Sequence, residues 1–156
     1  MENTQIIILA AGKGTRMKSD VPKAMTKLGD TTMLQKVIAT LDSIEYSKPP
    51  VVVVGYKKEL IMEALGDSVT YAYQNEQKGT GHAVMCAQDA LKEQTNRVII
   101  LYADMPFVSK ETIQQLAEAN EDTISPITIA TATINNDELF DNHFSGFGRI
   151  LQVWDC

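Results

Sequence analysis

The sequence alternates short, strongly apolar runs with longer segments in which apolar residues recur every three or four positions. The first pattern is typical of buried strands, and the second is typical of amphipathic helices. The predicted strands are Gln5–Ala10, Val51–Val54, Val69–Tyr73, Arg97–Tyr102, Ile127–Ile134 and Gly148–Trp154. The predicted helices are Thr31–Ile44, Lys58–Leu65, Gly79–Gln94 and a segment from Ser109 to about Asn120. Strands that alternate with helices predict an α/β fold, with a mostly parallel sheet covered by helices on both faces.

Length and composition fit one folded domain. The chain has 156 residues, of which 44% are hydrophobic and 22% charged. Domains typically contain about 100–150 residues, and this composition argues against disorder. We therefore expect a single domain over residues 1–156.

Targeting and metal-binding patterns are weak in this sequence. Its apolar runs fall short of the ~20 residues needed to span a bilayer, and its first residues lack the features of a signal peptide. Two cysteines are present, and no spacing of Cys and His suits structural zinc. We expect a cytoplasmic protein that does not bind membranes.

The charge distribution points to a small anionic ligand. The net charge is −6. Residues 12–27 hold five basic residues and one acidic residue, a local charge of +4, so the rest of the chain carries −10. An acidic chain with one basic segment is a poor candidate for nonspecific binding of nucleic acid. It is a better candidate for binding one small anion at one place.

A glycine-rich turn after the first strand lies within this basic segment. Glycines let backbone N–H groups approach a phosphate chain closely, and Lys13, Arg16 and Lys23 add positive charge. The spacing does not fit a P-loop, and Met17 occupies the third glycine position of a dinucleotide fingerprint, which leaves an oxidoreductase as a weak alternative. The turn therefore indicates a polyphosphate site; the alternative is a tight turn with solvated basic residues.

Two further segments carry polar groups just after predicted strands. Gln74 precedes Gly79–Ala83, and its amide suits the reading of a nucleobase edge. His82 lies in this segment, and a structural role for it is favoured over that of a general base. Asp104 follows the fourth strand, where a carboxylate can hold Mg²⁺ together with phosphate oxygens or can cap a turn. Because ligands of parallel sheets bind beyond the carboxyl ends of the strands, we expect these segments to form one site.

Taken together, these motifs resemble the N-terminal pyrophosphorylase part of bacterial bifunctional N-acetylglucosamine-1-phosphate uridyltransferases, within the sugar-nucleotidyltransferase superfamily. The segments that carry the resemblance are Leu9–Met17, Val21–Lys23, Gln74 with Gly79–Ala83, Tyr102–Pro106 and Gly146–Ile150. The resemblance implies a Rossmann-like nucleotidyltransferase fold. It also implies uridylyl transfer from UTP to N-acetylglucosamine 1-phosphate, which yields UDP-N-acetylglucosamine for peptidoglycan precursor biosynthesis and releases pyrophosphate.

The resemblance also assigns roles to residues. Arg16 and Lys23 would neutralise the phosphates, Asp104 would bind Mg²⁺, and Gly148 would lie by the amino sugar. The nucleotide- and substrate-binding residues would be Leu9, Ala10, Ala11, Gly12, Lys13, Gly14, Lys23, Gln74, Gly79, Thr80, Tyr102, Ala103, Asp104 and Gly148. No protein nucleophile is needed, because the sugar phosphate oxygen attacks the α-phosphorus.

The sequence departs from this family in two respects. Ala103 stands where the family usually has glycine, and family members continue well past residue 156. We therefore expect residues 1–156 to be the nucleotide-binding part, without the sugar-binding remainder, the β-helix domain or the C-terminal part through which a homo-oligomer would form. The alternatives are a nucleotidyltransferase for another nucleotide or sugar phosphate, and a non-catalytic module that binds a nucleotide or a partner.

Overall fold

A computed structural model describes residues 3–14, 20–46, 48–91, 95–119 and 126–131. Its strands are β1 (Thr4–Leu9), β2 (Lys27–Leu28), β3 (Thr31–Thr32), β4 (Val51–Val54), β5 (Thr70–Tyr73) and β6 (Arg97–Tyr102). Its α-helices are α1 (Met33–Asp42), α2 (Lys58–Leu65), α3 (Thr80–Cys86) and α4 (Lys110–Ala119). Short 3₁₀ turns cover Lys23–Met25, Gly66–Ser68 and Gln88–Ala90.

The main sheet is parallel and has the order β5-β4-β1-β6. The chain passes from β1 outward through β4 to β5, and then crosses to the opposite side of β1 to form β6. The strand order therefore reverses between β1 and β6, and such a reversal opens a crevice at the carboxyl ends of the two strands. The predicted parallel sheet is confirmed.

Alternate residues of the strands face two separate cores. Ile6 and Ile8 of β1 pack in one core with residues of α1, α2 and α4. Ile7 packs in the other core with Ala83 of α3 and with Ala87. This division follows from the two-residue period of a strand, and it places helices on both faces of the sheet, as predicted.

Helix α1 begins two residues later than predicted, because Thr31 and Thr32 pair with Lys27 and Leu28 in a small antiparallel hairpin. Gly29, with φ of 67°, occupies the first connecting position of this hairpin, where a left-handed conformation favours glycine. Thr32 then caps α1: its hydroxyl accepts from the Gln35 N–H, and the Gln35 side chain accepts from the Thr32 N–H. Sequence reasoning merged the end of the hairpin with the helix.

Two predictions about other elements are wrong. The long helix expected over Gly79–Gln94 is α-helical only over Thr80–Cys86 among the described residues, and a 3₁₀ turn over Gln88–Ala90 follows it. Residues 126–131 form no strand, and Ile127 and Ile129 remain about two-thirds exposed. Alternation of apolar residues does not by itself supply a partner strand or a covering layer. The rest of that predicted strand and the predicted strand Gly148–Trp154 lie outside the described residues.

Helix α4 is capped as the sequence predicts. The Ser109 hydroxyl accepts a hydrogen bond from the Thr112 N–H at 3.2 Å. Backbone and Ser109 hydrogen bonds, with a smaller contribution from Lys110, hold the pKa of Glu111 below its usual value. Within the described ranges, no helix is both long and apolar enough to cross a membrane.

Candidate functional site

A cavity of about 300 Å³ opens at the carboxyl ends of β1 and β6, where the strand order reverses. Its lining combines small residues after β1, the turn at Lys23, the segment around α3 and the residues after β6. The lining residues are Leu9, Ala10, Ala11, Gly12, Lys23, Ala24, Gln74, Gln77, Gly79, Thr80, Ala83, Tyr102, Ala103 and Asp104. The topology thus brings together segments that are far apart in the sequence.

The loop after β1 approaches the turn that carries Lys23. Gly14 has a φ of 62°, and a Cβ atom there would lie 3.1 Å from the Lys23 Cβ. A larger residue at position 14 would therefore be strained and would push against the lysine. The glycine at this position lets the loop and the Lys23 turn pack closely beside the cavity.

Lys23 and Asp104 form an ion pair in the cavity, with 2.5 Å between Nζ and Oδ2. Lys23 begins a 3₁₀ turn that follows Pro22. Asp104 follows Ala103, whose N–H donates to the Leu9 carbonyl and so continues the pairing of β1 with β6. Both side chains are partly exposed, so the pair contributes little to stability and remains accessible to a ligand.

Gln74, which is 5% exposed, also lines the cavity, and its amide is held in place by two neighbours. Its Nε2 donates to the Gly79 carbonyl at 3.1 Å and lies 3.1 Å from Nδ1 of His82. Gly79 has a φ of 98°, which favours glycine, and this backbone turn aims its carbonyl at Gln74. The amide is therefore held between a turn and the first part of α3.

Sequence reasoning missed two residues that shape this cavity. Gln77 donates from Nε2 to the Ala11 carbonyl at 2.7 Å, which ties the segment before α3 to the loop after β1. A Cβ atom on Gly55 would lie 3.0 Å from the Gln74 carbonyl oxygen and 3.1 Å from the Ala11 Cβ. The glycine that follows β4 could have been noticed in the sequence, whereas nothing in the spacing pointed to Gln77.

Eleven of the predicted site residues line the cavity. Lys13 and Gly14 lie beside it, and the Lys13 ammonium is 5.1 Å from the centre of the Tyr56 ring. Arg16 and Gly148 lie outside the described residues. Lys23 is thus the cation that the described structure places in the cavity lining.

A family model for the MobA-like NTP transferase domain matches residues 6–139. The chain belongs to this family. It is a nucleotidyltransferase domain, as the motifs predicted.

Curated relatives agree with this family. The chain is 41% identical over 149 residues to the bifunctional protein GlmU of Streptococcus agalactiae serotype V, a match that covers 96% of this chain and 31% of that protein. It is 36% identical over 155 residues to GlmU of Acetivibrio thermocellus, covering 99% of this chain and 32% of that protein. The chain therefore spans about a third of the length of these relatives, and the predicted resemblance to a bifunctional protein is confirmed.

Solved structures share the fold. A nucleotidyl transferase from Methanothermobacter has a TM-score of 0.64 and 20% identity, with 76% of this chain and 58% of that chain covered. Rv0371c of Mycobacterium tuberculosis in complex with manganese has a TM-score of 0.62 and 16% identity, with 75% and 59% covered. The CTP:phosphocholine cytidylyltransferase of Streptococcus pneumoniae has a TM-score of 0.56 and 19% identity, with 69% and 50% covered.

Proposed function

We propose that this chain binds UTP in the cavity between β1 and β6 and serves uridylyl transfer to N-acetylglucosamine 1-phosphate. The observation that carries the proposal is one cavity whose lining joins an ion pair with a side-chain amide. Lys23 and Asp104 supply the charge that suits a triphosphate, and Gln74 supplies the amide that suits a base. The motifs shared with the uridyltransferases support uracil and the amino sugar as the groups bound.

At the phosphate end, Lys23 supplies a compact positive charge. The small residues Ala11 and Gly12 allow the backbone to approach phosphate oxygens closely. Negative charge increases on these oxygens and on the leaving pyrophosphate as the reaction proceeds. A fixed lysine therefore stabilises the transition state more than the bound substrate.

A divalent cation, Mg²⁺ in our proposal, fits the residues beside Lys23. The described residues hold no cluster of three or more His, Cys, Asp or Glu that could bind a metal alone. Asp104 nevertheless offers a partly exposed carboxylate in the cavity, and Mg²⁺ commonly binds through one or two carboxylates together with substrate phosphates and water. When bound there, the cation would offset negative charge on the phosphate oxygens.

The chemical step needs no nucleophile from the protein. An oxygen of the sugar phosphate forms a bond to the α-phosphorus of UTP, and the bond from that phosphorus to the pyrophosphate oxygen breaks. The chain holds the nucleotide in line for this attack and keeps positive charge near the phosphates. Positioning and electrostatic stabilisation account for catalysis of this kind.

Release of pyrophosphate tests the proposal. The chain is incubated with Mg²⁺, N-acetylglucosamine 1-phosphate and each of UTP, CTP and GTP, and the dissociation constant of each nucleotide is measured in parallel. Residues 1–156 should bind UTP more tightly than CTP or GTP but release little or no pyrophosphate, because they are expected to lack the sugar-binding remainder. The same assay on a longer chain that carries this remainder should show release that requires both UTP and the sugar phosphate. Turnover of that longer chain with CTP or GTP but not with UTP would reject uridylyl transfer, and its binding of UTP without turnover would support the alternative of a nucleotide-binding module.

A further inference from the structure

The Gln74 amide is fixed in one orientation by its two neighbours. A backbone carbonyl can only accept a hydrogen bond, so the Gln74 atom that lies 3.1 Å from the Gly79 oxygen must be the Nε2 donor. The second proton of Nε2 is directed at His82 Nδ1, also at 3.1 Å. Rotation of the amide by half a turn would place two acceptors against each other at Gly79.

His82 can accept a hydrogen bond from this N–H in one tautomer. To accept from Gln74, Nδ1 must carry a lone pair, which requires the tautomer with the ring proton on Nε2. The Cys86 sulfur, one helical turn later, lies 3.8 and 3.9 Å from the two ring nitrogens and packs against the ring. Helix α3 therefore holds the histidine where it can orient the amide.

The remaining atom of the amide, Oε1, can only accept. Oε1 has no hydrogen-bond partner among the described residues. Every fully buried side-chain oxygen or nitrogen in this part of the chain does have a partner. Oε1 is therefore not fully buried, and Gln74 lines the cavity. The structure thus presents a fixed acceptor to the base end of the site.

We propose that His82 is a positioning residue for base selection: together with the Gly79 carbonyl, it locks the Gln74 amide so that Oε1 meets a base with an N–H donor. The N3–H of uracil satisfies this acceptor. Cytosine places an unprotonated N3 at the same edge, so two acceptors would face each other. The inference rests on the proposed function, because it requires the base to lie at the Gln74 end of the cavity.

Calorimetric titration with UTP and CTP in the presence of Mg²⁺ tests this role in three proteins. The native chain is compared with His82→Leu, which removes the acceptor, and His82→Asn, whose side-chain oxygen can accept from Gln74. We expect the ratio of the CTP to the UTP dissociation constant to fall about tenfold in His82→Leu, the effect of one hydrogen bond. In His82→Asn we expect the ratio of the two dissociation constants to return most of the way to the native value.

A matched control separates base selection from packing. Cys86→Ala loosens the packing of the same helix face but leaves the hydrogen bond between Gln74 and His82 in place. The ratio of the CTP to the UTP dissociation constant should therefore equal the native ratio. If His82→Leu weakens both nucleotides equally, or if folded His82→Asn fails to restore the ratio, the inference is overturned while the proposed function stands. If the native chain does not prefer UTP, the assignment of uracil fails, and the inference fails with it.

A measurement on the native chain keeps the inference testable if a variant does not fold. Long-range ¹H–¹⁵N correlation spectra report which nitrogen of a histidine carries the proton. An unprotonated Nδ1 of His82 at neutral pH is expected. A proton on Nδ1 would exclude the bond to Gln74 and would overturn the inference.

Discussion

At the scale of single residues, Lys23 and Asp104 form an ion pair with each other in the absence of ligand. They are separated by 81 positions in sequence, yet their charged atoms lie 2.5 Å apart in the cavity. Binding of a phosphate to Lys23 or of a cation to Asp104 would break this ion pair. Binding of the nucleotide and binding of the cation should therefore assist each other.

Replacing Lys23 by methionine should change binding of the cation and turnover in opposite directions. Without the competing ammonium, the affinity of Asp104 for Mg²⁺ in the absence of nucleotide should rise. In a longer chain that carries the sugar-binding remainder, turnover should fall by about 100-fold, because a fixed charge near the transition state is lost. Calorimetry and pyrophosphate release measure the two effects. The exposed Lys27 of β2 provides the control, since Lys27→Met should alter neither. Unchanged turnover in Lys23→Met would reject the role of this lysine.

Sequence reasoning predicted residues that bring charge or an amide to the site more readily than residues that orient them. Lys23, Gln74 and Asp104 follow strands or turns in a recognisable pattern, and all three line the cavity. Gln77 acts through a side-chain bond to the Ala11 carbonyl, and that bond depends on the tertiary structure. For His82 a structural role was favoured because a histidine in the first turn of a helix is more often structural than catalytic. Its contact with the Gln74 amide is visible only in the folded structure.

At the scale of elements, the end of β4 should tolerate no side chain. Gly55→Ala would place a Cβ within 3.1 Å of atoms of Gln74 and Ala11, two of them backbone oxygens that cannot move aside easily. We expect a loss of about 1–3 kcal/mol in the free energy of unfolding, as for overpacking elsewhere. Denaturant unfolding measures this loss. Gly12→Ala is the control, because no atom lies within 4 Å of the added Cβ. Equal stability of the two variants would contradict the prediction.

The start of helix α1 should depend on its capping box. Thr32→Ala removes the hydroxyl that accepts from the Gln35 N–H, so the unfolding free energy should fall by about 1 kcal/mol. Thr32→Ser keeps the hydroxyl and should retain most of this stability. Thermal unfolding of the two variants compares them directly. An equal loss in the two variants would show that packing of the threonine methyl, which both variants lack, dominates over the hydroxyl.

Among the elements, those fixed by local sequence were predicted best. The bounds of β4, α2 and β6 agree with the prediction, since apolar runs and a stop at Gly66 define them. Helix α3 gives way to the 3₁₀ turn Gln88–Ala90 although Ala83 and Ala87 keep helical spacing, so the local pattern did not reveal where it ends. The hairpin of β2 and β3 was missed because each of its strands has two residues, too few for a recognisable alternation.

At the scale of the whole molecule, the order of the strands creates the site. Sequence reasoning predicted that polar segments gather at the carboxyl ends of a parallel sheet. It did not predict that β6 would lie beside β1, which is decided by long-range pairing of Ile6–Leu9 with Ile99–Tyr102. This pairing places Asp104 across from the loop after β1. The position of the cavity is therefore a property of the topology rather than of any one motif.

Binding across this crevice should stabilise the whole fold, because the ligand contacts segments from both halves of the sheet. At 100 times its dissociation constant, UTP with Mg²⁺ should raise the unfolding free energy by about 2.7 kcal/mol, since it binds only the folded state. For a chain of this size that corresponds to a rise of roughly 5–10 °C in Tm. Thermal unfolding with UTP and Mg²⁺, with UTP and EDTA, and with CTP and Mg²⁺ at the same concentration measures the effect. We expect the largest rise in Tm with UTP and Mg²⁺, and a smaller rise under the same condition for Asp104→Asn. A shift that is the same with and without Mg²⁺ would show that the nucleotide binds without the cation and would remove Asp104 from the proposed metal site.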